Sequence, residues 1–219
     1  MTDYAHTALI VVDSQIGALS SPTNFWGPSR STPSYESSIS KLLLSFRSLP
    51  KSPSAPHIIH IYHSSTNPLS PLHPSSPGMD FHACSLPQAN EPVFSKSTNS
   101  AFIRLPTPEP EPELELEKYL REKEIWKIYF VGLSVDLCLG STVRSASDLG
   151  VADHVDAEGR VVKGDLVVVE DAVAAWAKHG GKFDAETVCA VHLESLKGEF
   201  ARVVRVADVL AEMGLEELE

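Results

Sequence analysis

Two stretches of this chain are apolar at successive positions rather than alternate ones: Thr7-Ala-Leu-Ile-Val-Val12, which ends at Asp13, and Leu166-Val-Val-Val169, which ends at Glu170-Asp171. A strand with one face in water alternates, whereas a strand covered on both faces does not, so these runs predict a buried parallel sheet. His57-Ile-Ile-His-Ile-Tyr62, Trp126 to Val131 and the short Arg202-Val-Val-Arg205 are read as further strands. Helical spacing falls between them. Residues 34–49 place Ile39, Leu42, Leu43 and Phe46 on one face with Pro50 just beyond, and 136–149, 184–197 and 206–214 are also helical. Strands alternating with helices define an α/β class with helices on both faces of the sheet. A length of 219 residues suits one domain, spanning 1–219, better than two small ones.

Three segments break the rhythm. Residues 63–92 are rich in Pro, Ser and His without periodicity, which reads as a long ordered loop or a lid. Thr107-Pro-Glu-Pro-Glu-Pro-Glu113 reads as a solvated acidic spacer entering a helix at about 113–123. Residues 151–165, with a Glu-Gly turn between two β-prone runs, read as an inserted hairpin.

Composition narrows the partners. A formal charge of −11 argues against nucleic acid or an anionic membrane surface. No apolar run approaches a membrane span, and the N-terminus lacks the basic region of a signal peptide. Three widely spaced cysteines give no disulfide framework and no CxxC zinc pair. The expected setting is cytoplasmic, and the expected partner is a small-molecule substrate.

Cys138 stands in the first turn of the 136–149 helix, at the carboxyl end of a strand, where open α/β sheets bind ligands. Helix N-termini carry partial positive charge and unpaired N–H groups, which favour a thiolate and a nearby oxyanion. Asp13 follows the first strand, and Lys96 lies in the polar loop Pro92-Val-Phe-Ser-Lys-Ser-Thr-Asn-Ser-Ala-Phe102. A thiol needs a base or a cation to become a nucleophile near neutral pH; a carboxylate and an ammonium supply both. Each residue also has a plain structural reading: an inert buried cysteine, a strand-end aspartate in a turn, a solvated loop lysine.

Val11-Val-Asp13-Ser-Gln15, Pro92 to Phe102 and Val131-Gly-Leu-Ser-Val-Asp-Leu-Cys138-Leu-Gly-Ser-Thr142 are similar, in order and approximate spacing, to the isochorismatase-like cysteine hydrolases, and the resemblance continues to Gly198-Glu-Phe-Ala201. It implies a three-layer α/β/α sandwich with a mostly parallel central sheet and an Asp13–Lys96–Cys138 triad. It also implies a cis peptide between Leu133 and Ser134, with the backbone N–H groups of Ser134 and Cys138 forming an oxyanion hole. The activity implied is cleavage of a C–N bond in a small amide, ureido or imide substrate through a thioester, by a homo-oligomer (dimer or tetramer). A nicotinamidase-type amidase and a non-catalytic scaffold of the same fold are the alternatives.

The chain departs from the zinc-binding members of that group. After the second strand it reads His60-Ile-Tyr-His63-Ser-Ser-Thr-Asn-Pro-Leu-Ser-Pro-Leu-His73, without their Asp-x-His. His60, His63, His73 and His82 lack compact ligand spacing, so no metal and no cofactor are expected. Gln15, Phe25, His63, Phe102 and Trp176, with Trp26, are the candidate substrate-binding residues, the aromatic ones serving equally well as core or loop anchors.

Overall fold

The computed structural model describes residues 4–20, 24–49, 53–104 and 116–215. Strand β1 (Thr7–Val12) is followed by a short helix α1 (Ile16–Leu19) and by α2 (Tyr35–Ser48). Next come β2 (His57–His63), β3 (Val93–Lys96), α3 (Leu116–Glu122), β4 (Lys127–Leu133) and α4 (Cys138–Asp148). The chain ends with β5 (His154–Val155), β6 (Val161–Val162), β7 (Asp165–Ala174), α5 (Ala185–Leu196), β8 (Arg202–Val204) and α6 (Val206–Glu212). The main sheet has six strands in the order β3-β2-β1-β4-β7-β8, and every pairing in it is parallel.

The chain winds outward from β1 through β2 to β3, then returns to start the other half at β4. The strand order therefore switches between β1 and β4, and the loops leaving these two strands diverge in opposite directions to open a crevice. Alternate residues of each strand serve the two helical layers. Ala8, Ile10 and Val12 pack with Leu139, Val143 and Ala146 of α4 and with α3 and α5. Leu9 and Val11 pack with Ile39, Leu42, Leu43 and Phe46 of α2 and with α6. Both faces of β1 are thus fully buried, as its unbroken apolar run requires.

Two boundaries differ from the sequence reading. Lys96 is not in a loop: it ends β3, an edge strand whose four residues pair with β2 from His60↔Val93 to His63↔Lys96. The strand is too short and too polar to announce itself by pattern. The run that seemed to stop at Glu170-Asp171 continues as β7 to Ala174, after a register shift between the pairs Phe130↔Val168 and Gly132↔Val173. The polar pair leaves the ladder inside this irregularity, where Asp171 Oδ1 accepts from Val206 N at 2.8 Å, at the start of α6. The helix expected at about 113–123 is seen as α3 over Leu116–Glu122, and the residues before Leu116, with the acidic–proline tract, lie outside the described residues.

The 63–92 segment is an ordered loop, built from side-chain-to-backbone turns. Ser65, Asn67, Ser70, Ser76 and His82 each accept from the N–H two residues on. The loop closes on α1 by a glycine–glycine contact: a Cβ on Gly78 would stand 2.3 Å from Pro71 O and 2.7 Å from Gly17 Cα. Its far end is pinned by Glu91, which receives Arg47 Nε at 2.8 Å, Arg47 Nη2 at 2.7 Å and the His60 imidazole at 2.9 Å. Residues 151–165 do contain a hairpin, β5 against β6, with its turn tied by Asp156 and outside the main sheet. Among the described residues no helix is long and apolar enough to cross a membrane.

Candidate active site

The switch point between β1 and β4 brings together the three candidate side chains Asp13, Lys96 and Cys138. Asp13 follows β1 with φ +52 and a side chain 4% exposed; the Lys96 side chain, reaching in from β3, is 1% exposed. Lys96 Nζ donates to Asp13 Oδ2 at 2.7 Å, to Thr98 O at 3.2 Å and to His63 Nδ1 at 3.1 Å. All three ammonium hydrogens are engaged. Burial opposes this charge, but the Asp13 carboxylate and Cys138 outweigh it and hold the Lys96 pKa above the ordinary lysine value. Burial and the neighbouring ammonium hold His63 below the ordinary imidazole range. The ring is neutral near pH 7, its Nδ1 lone pair accepts from Lys96, and its proton sits on Nε2.

Cys138 opens α4. Ligand atoms of Asp13, His63 and Cys138 all lie within 4.8 Å of one another. The other Asp13 oxygen, Oδ1, is buried without a hydrogen-bond partner. Burial, reinforced by the Asp13 carboxylate and opposed by Lys96, pushes the Cys138 thiol up to about 12. This departs from the thiolate suggested by a helix N-terminus: burial and Asp13 favour the thiol form of Cys138. Asn99 Oδ1 lies 3.7 Å from Cys138 Sγ, and Thr142 Oγ1 donates to Cys138 O at 2.7 Å while accepting from Ala101 N at 3.1 Å. Sequence reasoning quoted Thr98, Asn99 and Thr142 within motifs without giving them tasks; the density of hydroxyl and amide side chains after Lys96 was the available signal.

The turn from β4 into α4 depends on Gly132. Its φ is +118, and a Cβ there would stand 2.1 Å from Val12 O, so glycine lets the ends of β1 and β4 approach. The Leu133–Ser134 peptide is cis. The N–H groups of Leu137 and Leu139 both donate to Ser134 O at 3.0 Å, and Val135 N donates to Ala174 O at 3.0 Å. Among the described residues, the N–H groups of Ser134 and Cys138 have no backbone acceptor.

The other candidate residues separate. His63 joins the trio. Gln15 does not present a free amide: its Oε1 accepts from His63 N at 2.8 Å, and its Nε2 donates to Met79 O at 3.0 Å and His63 O at 3.2 Å. It ties the end of β1 to β2 and the long loop instead of offering donors to a substrate. Phe25 stacks edge-on against Trp26 at 4.8 Å, and Trp26 Nε1 donates to Gly17 O at 2.8 Å. Trp176 bridges to Arg30 where residues 24–31 cross the end of β7, and Phe102 packs partly against the α4 side of the core.

The histidines do not form a zinc set. His60 is bound to Glu91, His73 to Ser75 at 2.8 Å, and His82 to Cys84 at 3.2 Å. The only described cluster with metal-ligand proximity is Asp13, His63 and Cys138. Lys96 Nζ already donates to Asp13 and His63, so the donor set is matched to an ammonium and a metal ion does not fit it.

A doubly wound sheet whose switch point gathers a cysteine, a carboxylate and a lysine has the groups that nucleophilic hydrolysis requires. Comparison with known proteins makes this specific: the Isochorismatase domain family matches residues 7–208, and the chain belongs to that family of hydrolases. The uncharacterized isochorismatase family protein YrdC of Bacillus subtilis (strain 168) is 28% identical over 121 residues, 54% of this chain and 53% of YrdC, so the match spans about half the length of that relative. A structure from Chromobacterium violaceum ATCC 12472, named as a candidate hydrolase of the isochorismatase family, shares 30% identity. It covers 96% of this chain and 94% of its own at a TM-score of 0.76. The structure of a cysteine hydrolase from Pseudomonas syringae pv. phaseolicola 1448A, at 20% identity, covers 97% of this chain and 94% of its own with a TM-score of 0.75, a likeness of fold.

Proposed function

We propose that this hydrolase cleaves a C–N bond of a small amide, ureido or imide substrate through a thioester on Cys138, without a metal. One observation carries the reading: Asp13 gives one oxygen to Lys96 at 2.7 Å, its other oxygen is buried and unpartnered, and its carboxylate lies within 4.8 Å of the Cys138 sulfur. Asp13 Oδ1 takes the thiol proton as Sγ attacks the carbonyl carbon, and Lys96 stabilises the charges thus separated. The Ser134 and Cys138 N–H groups receive the developing oxyanion. Asp13 passes its proton to the departing amine or ammonia, the thioester forms, and Asp13 then takes a proton from water as it attacks. The carboxylic acid leaves, the proton returns to Sγ, and the trio is restored.

The bound substrate is a small planar molecule lying near His63, with Phe25, Phe102 and Trp176 as its candidate aromatic contacts. Support for a homo-oligomer comes from apolar surface outside the crevice, including Val161 at 73% and Phe183 at 63% exposure; light scattering in solution tests it. A cytoplasmic setting is consistent with three free thiols, Cys84, Cys138 and Cys189.

The test is ammonia release across a panel of small amides, ureides and cyclic imides. Wild type is expected to turn over at least one of them, with activity lost in Cys138→Ala and retained after exhaustive chelation. Activity surviving in Cys138→Ala, or lost to chelation and restored by zinc, would overturn the reading.

A further inference from the structure

The turn between β4 and α4 carries a charge that the proposed reaction does not use. Asp136 stands two residues from Ser134 and two from Cys138, and its side chain is 5% exposed. Its Oδ1 accepts from Ser134 Oγ, and its Oδ2 lies 2.8 Å from Lys178 Nζ. A nearly buried carboxylate beside two N–H groups that must stabilise an oxyanion opposes them, because like charges in a poorly screened site repel over several ångströms. Lys178 cancels that charge.

The lysine arrives from a different part of the chain, the segment after β7, which is itself fixed. Ala177 N donates to Ser29 O at 2.9 Å, Gly181 N to Lys178 O at 2.9 Å, and the His179 imidazole to Asn24 O at 2.7 Å. The ion pair therefore ties the oxyanion turn to the 24–31 and 174–181 crossing. Its exposure is one-sided, since the Lys178 side chain is 49% exposed while its partner is almost fully covered.

We propose that Lys178 is a positioning residue for the reaction: as counter-ion to Asp136 it fixes the Ser134–Cys138 turn and keeps those N–H groups electropositive. This rests on the reading of Cys138 as the nucleophile. Lys178 acts through Asp136 and does not hold the substrate.

Acetaldehyde labelled with carbon-13 at its carbonyl tests this without a known substrate. Cys138 Sγ adds to the carbonyl carbon, one S–C bond forms as the C=O π electrons move to oxygen, and the thiol proton passes to Asp13, leaving an oxyanion as in the proposed attack. That oxygen lies at the Ser134 and Cys138 donors, so the Kd of the thiohemiacetal, read by NMR titration, reports on them. Lys178→Met is expected to weaken the adduct about tenfold or more. Lys178→Arg and the double variant Asp136→Asn/Lys178→Met are expected to bind near the wild-type level. Equal binding by Lys178→Met and wild type overturns the proposal, as does a loss that the double variant fails to restore. No adduct in wild type beyond that of Cys138→Ala overturns the nucleophile reading, and this proposal with it. With any active substrate, Lys178→Met should lower kcat with little change in KM; a rise in KM alone marks a substrate anchor and overturns the counter-ion role. Thermal unfolding of each variant, with the double variant relieved of the buried charge, separates these outcomes from misfolding.

Discussion

At the scale of single residues, the site turns on where one proton rests. With its pKa pushed up to about 12, Cys138 is a thiol near neutral pH, and in the proposed mechanism its reactivity depends on Asp13 taking the proton during attack. Cys84 is pushed up to about 11 by burial and Glu36, and Cys189 is raised by burial, and neither has the arrangement that Asp13 and Lys96 give Cys138. Iodoacetamide near neutral pH should therefore alkylate Cys138 well ahead of the other two, and Asp13→Asn should abolish the difference while lowering hydrolysis by about 10²-fold or more. Equal labelling rates in wild type, measured by peptide mass spectrometry over time, would count against an activated thiol. Gln15 shows the opposite case. It sits in the same motif as Asp13 and looks just as available in sequence, but its amide is used to join the chain ends that carry His63 and Met79.

At the scale of elements, the least obvious support is the Arg47–Glu91–His60 cluster that fastens the long loop to α2 and β2. His60 is fully buried, and Glu91 takes two hydrogen bonds from Arg47, one from Gln88 N and one from His60. Glu91→Ala would leave a buried imidazole and a guanidinium without their acceptor, a loss on the order of 2–4 kcal/mol. The measurement is the urea midpoint, with Glu91→Gln falling between wild type and Glu91→Ala; a shift below about 0.5 kcal/mol would show the cluster to be incidental. This element also marks a limit of sequence reading. The unbroken apolar strands, the α2 and α4 periodicities and the Cys138 placement were legible because burial on both faces and helical spacing leave a pattern in residue type. Lys96 was legible as a reactive group through the resemblance, but its strand was not, since Val-Phe-Ser-Lys at a sheet edge has no burial pattern long enough to count. The continuation of β7 past Glu170-Asp171 was hidden for a different reason: the polar pair faces the start of α6, where Arg205 meets both carboxylates and Val206 N, 35 positions from Asp171, donates to it. The four histidines dispersed for the same kind of reason, each finding a partner that spacing along the chain does not reveal.

At the scale of the whole molecule, acid should loosen the fold in two stages. Burial keeps His57, His60 and His63 below their ordinary value of 6.5. Each is therefore neutral in the fold, and its contribution is present above about pH 6.5 and declines as pH falls below it. Burial opposes the charge of Glu212, but Arg202, Lys127 and Tyr129 hold it down to about 2 from 4.5. Its stabilisation is complete above about pH 4.5 and is lost as pH falls toward about 2; being partly exposed and screened, it contributes on the order of 1–2 kcal/mol. Denaturant midpoints followed from neutral pH downward should show both declines, and Glu212→Gln should remove the lower one. A second property of the whole follows from the trio of Asp13, Lys96 and Cys138. In the proposed mechanism it holds one anion and one cation before attack, and still one anion and one cation after the proton has moved from sulfur to carboxylate. The buried crevice is neutral at both moments, so neither the resting enzyme nor the attacking one calls ions from solution. Turnover of an uncharged substrate should change less than about twofold between low and high salt, and discrimination among substrates then falls to fit and hydrogen bonding, with long-range attraction playing little part.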